Sequence, residues 1–165
     1  MKIDILCVGK IKESFYRDAI SEYSKRLSRY ASLSIIEVSD EKTNEGASEA
    51  VTQIILSKEA ERLMKYIPEA RGIGTDTYII TLEIKGKRLT SVELASQIKQ
   101  LSVDGISHII FVIGGSLGLH NSVIQRSNFH LSFSEMTFPH QLMRVILLEQ
   151  IYRSYRIINN EPYHK

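Results

Sequence analysis

A chain of 165 residues, 43% hydrophobic and 24% charged, is long enough to bury one core and short for two. Its formal charge of +2 excludes a polycation that grips nucleic acid by bulk electrostatics, so RNA contact would need a local patch or a surface shared between subunits. There is no apolar run of membrane-spanning length and no signal-peptide core after Met1-Lys2-Ile3-Asp4, and the lone Cys7 leaves no internal disulfide; the expectation is a cytoplasmic protein without a membrane anchor.

Residues 2–8 form an apolar run ending at Gly9 and predict a buried strand. Over 14–29, Phe15, Ala19, Tyr23 and Leu27 recur at i, i+4, which predicts an amphipathic helix. Residues 33–38 predict a second strand. A long helix follows over 47–66, with Val51, Ile54, Ile55, Leu63 and Ile67 facing inward and Pro68 beyond its end. Pro68, Gly72 and Gly74 punctuate a loop over 68–77. Residues 78–84 predict a third strand that turns at Lys85-Gly86-Lys87. Thr90 and Glu93 are a capping-box pair opening a helix that buries Leu94, Ile98 and Leu101. The fourth and most apolar strand covers 108–113, followed by a short helix near 120–127 and a fifth strand near 129–133. Pro139 suits the first turn of a last helix reaching about 158, with Leu142, Val145, Ile146 and Leu148 to bury.

Strands alternate with helices and read as continuous apolar runs. That pattern predicts a single α/β domain over 1–165, a mostly parallel sheet with helices on both faces. Ligands of such sheets bind beyond the carboxyl ends of the strands. Directly after the fourth strand stands Gly114-Gly115-Ser116-Leu117-Gly118, which is neither a P-loop nor a dinucleotide fingerprint; it suits a nucleotide-like ligand or a tight turn. After the fifth stands Phe133-Ser134-Glu135-Met136-Thr137-Phe138-Pro139-His140, which by itself reads first as core packing and a helix cap and second as a site for a flat heteroaromatic ring. The two loops meet only where the fourth and fifth strands lie close together. The histidines lack metal-ligand helical spacing, so no metal site is expected.

Further segments complete a pattern: Ile5-Leu6-Cys7-Val8-Gly9-Lys10, Thr81-Leu82-Glu83, Gly86-Lys87, Phe111-Val112-Ile113-Gly114-Gly115, Met136-Thr137-Phe138-Pro139-His140, Glu149-Gln150-Ile151-Tyr152-Arg153 and the closing Pro162-Tyr163-His164-Lys165. Together they resemble, nearly end to end, the SPOUT-class RNA methyltransferases, and among these the minimal enzymes that act on large-subunit ribosomal RNA. The resemblance implies a C-terminal trefoil knot and S-adenosyl-L-methionine as cofactor. It implies Leu82, Gly114, Gly115, Phe133, Ser134, Glu135, Met136, Thr137 and Phe138 as the residues that hold it. Glu135 departs from the basic residue common there, which leaves a backbone role. The implied reaction is methylation of N3 of a pseudouridine in a hairpin loop of 23S rRNA, on the assembled ribosome. The implied assembly is a homodimer in which one subunit's tail completes the other's site. On that reading Tyr163, His164, Arg144 and His140 are the catalytic candidates, with Arg144, Arg153, Arg156 and Lys165 meeting RNA. A SPOUT enzyme for another RNA such as tRNA, a non-catalytic ribosome-binding module and an unrelated flavodoxin-like domain are the alternatives.

Overall fold

The computed structural model describes residues 1–163. Its elements in chain order are β1 (Lys2–Val8), α1 (Ser14–Leu27), β2 (Ser32–Val38), α2 (Glu49–Met64), β3 (Thr77–Arg88), α3 (Ser91–Val103), β4 (His108–Ile113), α4 (Asn121–Arg126), β5 (Phe129–Ser132) and α5 (His140–Ile158). The strands form one all-parallel sheet in the order β2-β1-β4-β3-β5. Helices cover both faces, as continuous apolar strands require. One apolar cluster joins the sheet to α3 and α5 through Leu94, Ile98, Leu147 and Ile151, with Leu27 at the end of α1. A second joins the other face to α2 and α4 through Ala60, Leu63 and Val123.

Local signals place most boundaries. Ser48 caps α2 by accepting a hydrogen bond from Val51 N, and Thr90 and Glu93 close a reciprocal capping box on α3. Gly72 and Gly74 both take positive φ, so the loop before β3 is a turn.

Four expectations are corrected. The chain does not reverse at Lys85-Gly86-Lys87. It bulges: Leu82 and Lys87 both lie opposite Leu131, and pairing then resumes at Arg88 with Ser132. Gly86 is required there for close approach, since a Cβ would lie 2.7 Å from the Leu131 carbonyl carbon. The two loops meet although β3 lies between the fourth and fifth strands, so adjacency of those strands is not the condition it was expected to be. The stripe of α1 holds at Ala19, Tyr23 and Leu27, with only Phe15 exposed; on α2, Ile55 and Leu63 are buried as expected and so is Ile67, whereas Val51 and Ile54 are exposed and Leu56, Glu59 and Ala60 are buried in their place. On α5 only Leu148 of the four expected residues is buried; Leu142, Val145 and Ile146 are half-buried, and Arg144, Leu147 and Ile151 take the inner positions.

Candidate active site

β4 delivers its last residue, Ile113, into a turn that folds on itself. Gly118 N donates to Gly115 O at 3.1 Å, and the two residues form an isolated bridge. A Cβ on Gly114 would collide with the carbonyl of Gly118, so the turn closes only around a glycine. The Phe133–Pro139 segment is folded by its own hydroxyls. Ser132 Oγ donates to Ile84 O at 2.9 Å, and Ser134 Oγ accepts from Met136 N at 2.9 Å. Pro139 then caps α5, its carbonyl accepting from Met143 N at 3.0 Å.

The two loops and the β3 bulge enclose a pocket of about 840 Å³ at the carboxyl edge of the sheet. Leu82, Gly114, Gly115, Phe133, Ser134, Met136, Thr137, Phe138 and His140 all line it. The intervening β3 thus does not keep the loops apart; it supplies the third wall, Glu83, Ile84 and Lys85. Of β3 the sequence singles out only Leu82 as a contact; local pattern does not show that the bulge after it turns Glu83, Ile84 and Lys85 to the pocket. Glu135 does not line the pocket; its exposed carboxylate pairs with Arg88 at 2.9 Å, a contact worth little in water.

His140 sits at the junction of pocket and core. Its Nε2 lies 3.3 Å from the position a Cβ on Gly9 would occupy, and Asp40 faces the same point. Burial, and then the Arg144 guanidinium, push its imidazole below the ordinary value of 6.5, against a weaker pull from Asp40. It is therefore the neutral form at pH 7, with a nitrogen able to take a proton.

Arg144 is the main correction among the site residues. Its side chain is fully buried and donates to Val8 O at 3.1 Å and Gly9 O at 2.6 Å, with Glu37 Oε1 at 2.5 Å. It bolts α5 to the end of β1 and cannot reach an RNA phosphate. Beneath it the Cys7 thiol is pushed up to about 12 by burial, which makes it an inert core group.

Tyr163 does not line this pocket. It folds back on α5, its hydroxyl donating to Glu149 Oε1 at 3.3 Å, its ring edge-on to Tyr152 at 5.0 Å and beneath the Arg153 guanidinium at 4.7 Å. Arg153 is engaged with Glu149 at 2.6 Å and Arg156 with Glu161 at 3.0 Å. His164 and Lys165 lie outside the described residues. Among the described residues there is no group of three metal-ligating side chains, and no helix is long and apolar enough to cross a membrane.

Residues 1–164 match the family model described as "Predicted SPOUT methyltransferase". The chain belongs to the SPOUT methyltransferase family. Among its relatives, a "Putative ribosomal RNA large subunit methyltransferase H" of Methanococcus maripaludis is 60% identical over 165 residues, covering 100% of both chains. A "Ribosomal RNA large subunit methyltransferase H" of Bifidobacterium adolescentis is 56% identical over the same full lengths. A solved structure from Haemophilus influenzae, described as "a probable methylase family protein", superposes with a TM-score of 0.53 at 15% identity, covering 99% of this chain and 70% of that one. At that identity the last comparison bears on the fold alone. In this SPOUT methyltransferase the pocket at the carboxyl edge of the sheet stands where such folds bind ligands.

Proposed function

We propose that the chain transfers the methyl group of S-adenosyl-L-methionine to N3 of a pseudouridine in a hairpin loop of 23S rRNA, on the assembled ribosome. We further propose that it works in the cytoplasm as a homodimer, its C-terminal segment threaded as a trefoil knot. The observation that carries this reading is the pocket: a glycine-rich turn on one wall, and apolar and aromatic groups on the others.

The residues fit a sulfonium nucleoside. A volume of about 840 Å³ suits a nucleoside with an amino-acid arm. Leu82, Phe133 and Phe138 offer apolar walls for a purine, and the backbone of 114–118 and 134–137 offers hydrogen bonds to its edge. When bound, the group supplies an activated methyl. What remains for the chain is to align the nucleophile with the methyl–sulfur bond, exclude water and accept the N3 proton. Neutral His140 on the pocket wall can accept that proton directly or through water.

The tail supports a shared site. Tyr163 is held by Glu149, Tyr152 and Arg153 on the outer part of its own α5, away from its own pocket. The half-buried Leu142, Val145 and Ile146 on the same helix suit a partner copy. A partner packed there would bring its Tyr163, His164 and Lys165, with Arg153 and Arg156, to face the RNA; Tyr163 can stack on a base.

The test is transfer of a tritiated methyl group to assembled ribosomes, free rRNA and tRNA in parallel, with mapping of the modified base. Label on a pseudouridine of 23S rRNA, from ribosomes above all, is the expected result. Label on tRNA would redirect the substrate assignment, and no label on any RNA would favour a non-catalytic binding module.

A further inference from the structure

Glu83 belongs to neither of the loops that the sequence singles out. It opens the bulge of β3, between the two residues that share Leu131 as partner. Among the described residues lining the pocket it is the one carboxylate. Its side chain is 18% exposed, enough to stay in touch with the cavity and little enough for its charge to be felt there. Oε1 is held in place: Thr81 Oγ1 donates to it at 2.5 Å and His130 Nδ1 at 2.8 Å. Thr81 is fully buried, and Ser127 Oγ lies 3.1 Å from both Thr81 Oγ1 and His130 Nδ1. The carboxylate of this pocket-lining residue is therefore held by Thr81 and His130, with Ser127 behind them, rather than left free to swing into solvent.

Among the described residues two other ionisable groups line the same cavity. Lys85 is exposed, so its ammonium is largely screened by water. Burial keeps His140 neutral, so it does not repel a cation. The wall charge that a bound ligand meets is negative.

We propose that Glu83 is a specificity-determining residue, which makes the pocket favour the positively charged methyl donor over its demethylated product. The inference rests on S-adenosylmethionine being the donor. That molecule carries a net positive charge through its sulfonium, whereas the product, S-adenosylhomocysteine, is a neutral thioether of nearly the same shape. Contacts to purine, ribose and the amino-acid arm cannot tell the two apart. A carboxylate near the sulfur can, because the Coulomb term is present for one ligand and absent for the other. At the effective dielectric of a half-open pocket, one such charge at several ångströms is worth about tenfold in affinity. The same difference loosens the product once the methyl group has left, so the pocket empties after each turnover.

Calorimetric titration of wild type, Glu83→Gln and Glu83→Asp with both compounds tests this. Glutamine keeps an oxygen to accept from Thr81 and His130, so the bulge is retained, and an unchanged melting temperature verifies it. Glu83→Asn asks the same question should the Gln variant not fold. The expected result is about tenfold weaker donor binding in E83Q, less than about twofold change for the product, and a preference restored in E83D. Equal losses for both ligands would reduce Glu83 to a structural role, and an unchanged ratio would overturn the proposal. Wild type that binds neither compound would instead overturn the donor assignment beneath it.

Discussion

Arg144 is where residue type and residue role part company. An arginine on a predicted helix of an RNA enzyme suggests a phosphate contact, yet its guanidinium is buried against two carbonyls and the Glu37 carboxylate. Removing one partner of such a buried set strands the others. Arg144→Met is therefore expected to cost about 3–5 kcal/mol, read as a lowered denaturation midpoint with the slope unchanged. Gly114 gives the opposite kind of test: a Cβ there meets Gly118 backbone and must open the turn. Gly114→Ala should weaken donor binding at least tenfold while leaving the melting temperature within a few degrees, since the turn lies outside both apolar clusters. His140 makes the pH prediction. Its ordinary value is lowered by burial, so the neutral form persists below pH 6.5. If it accepts the proton, transfer falls only as pH drops beneath that value, and His140→Gln removes this acid limb from the profile. The same lowering has a stability consequence: the unfolded chain binds the proton first, so His140 subtracts stability as pH falls through 6.5 toward the lower folded value. His140→Gln should therefore flatten the loss of stability in that window, as urea titrations between pH 5 and 7 would reveal.

At the scale of elements, periodicity and caps told most of the story. The capping box of α3, the apolar β4 and the Pro139 start of α5 appear where Thr90, Glu93, 108–113 and Pro139 indicate. Both pocket loops were legible as strand-to-loop junctions. The third wall was not, because Gly86 signals equally a turn or a close backbone passage, and only the pairing partner decides between them. Nor does local pattern reveal which arginine of α5 is buried, since that depends on carbonyls at the distant end of β1. The tail is an element-scale prediction. Because Tyr163 packs on its own α5 and not in its own pocket, deleting 163–165 should leave donor affinity within a few-fold and abolish methyl transfer. Retained turnover would remove the tail from the active site.

For the molecule as a whole, the described residues form a small parallel sheet with the proposed donor pocket at its carboxyl edge. The proposed second copy on the half-buried face of α5 would enlarge the substrate surface, which a formal charge of +2 makes useful for gripping RNA. Light scattering should give about twice the mass of one chain. A charge introduced at Val145, as Val145→Glu, should shift the protein toward monomer and suppress transfer with it. The most direct measurement is a crystal structure grown with S-adenosylmethionine in excess. The nucleoside should lie between the Gly114–Gly118 turn and residues 133–138, its sulfur toward the mouth of the pocket. Density for it at any other place, with this pocket open to solvent, would contradict the assignment.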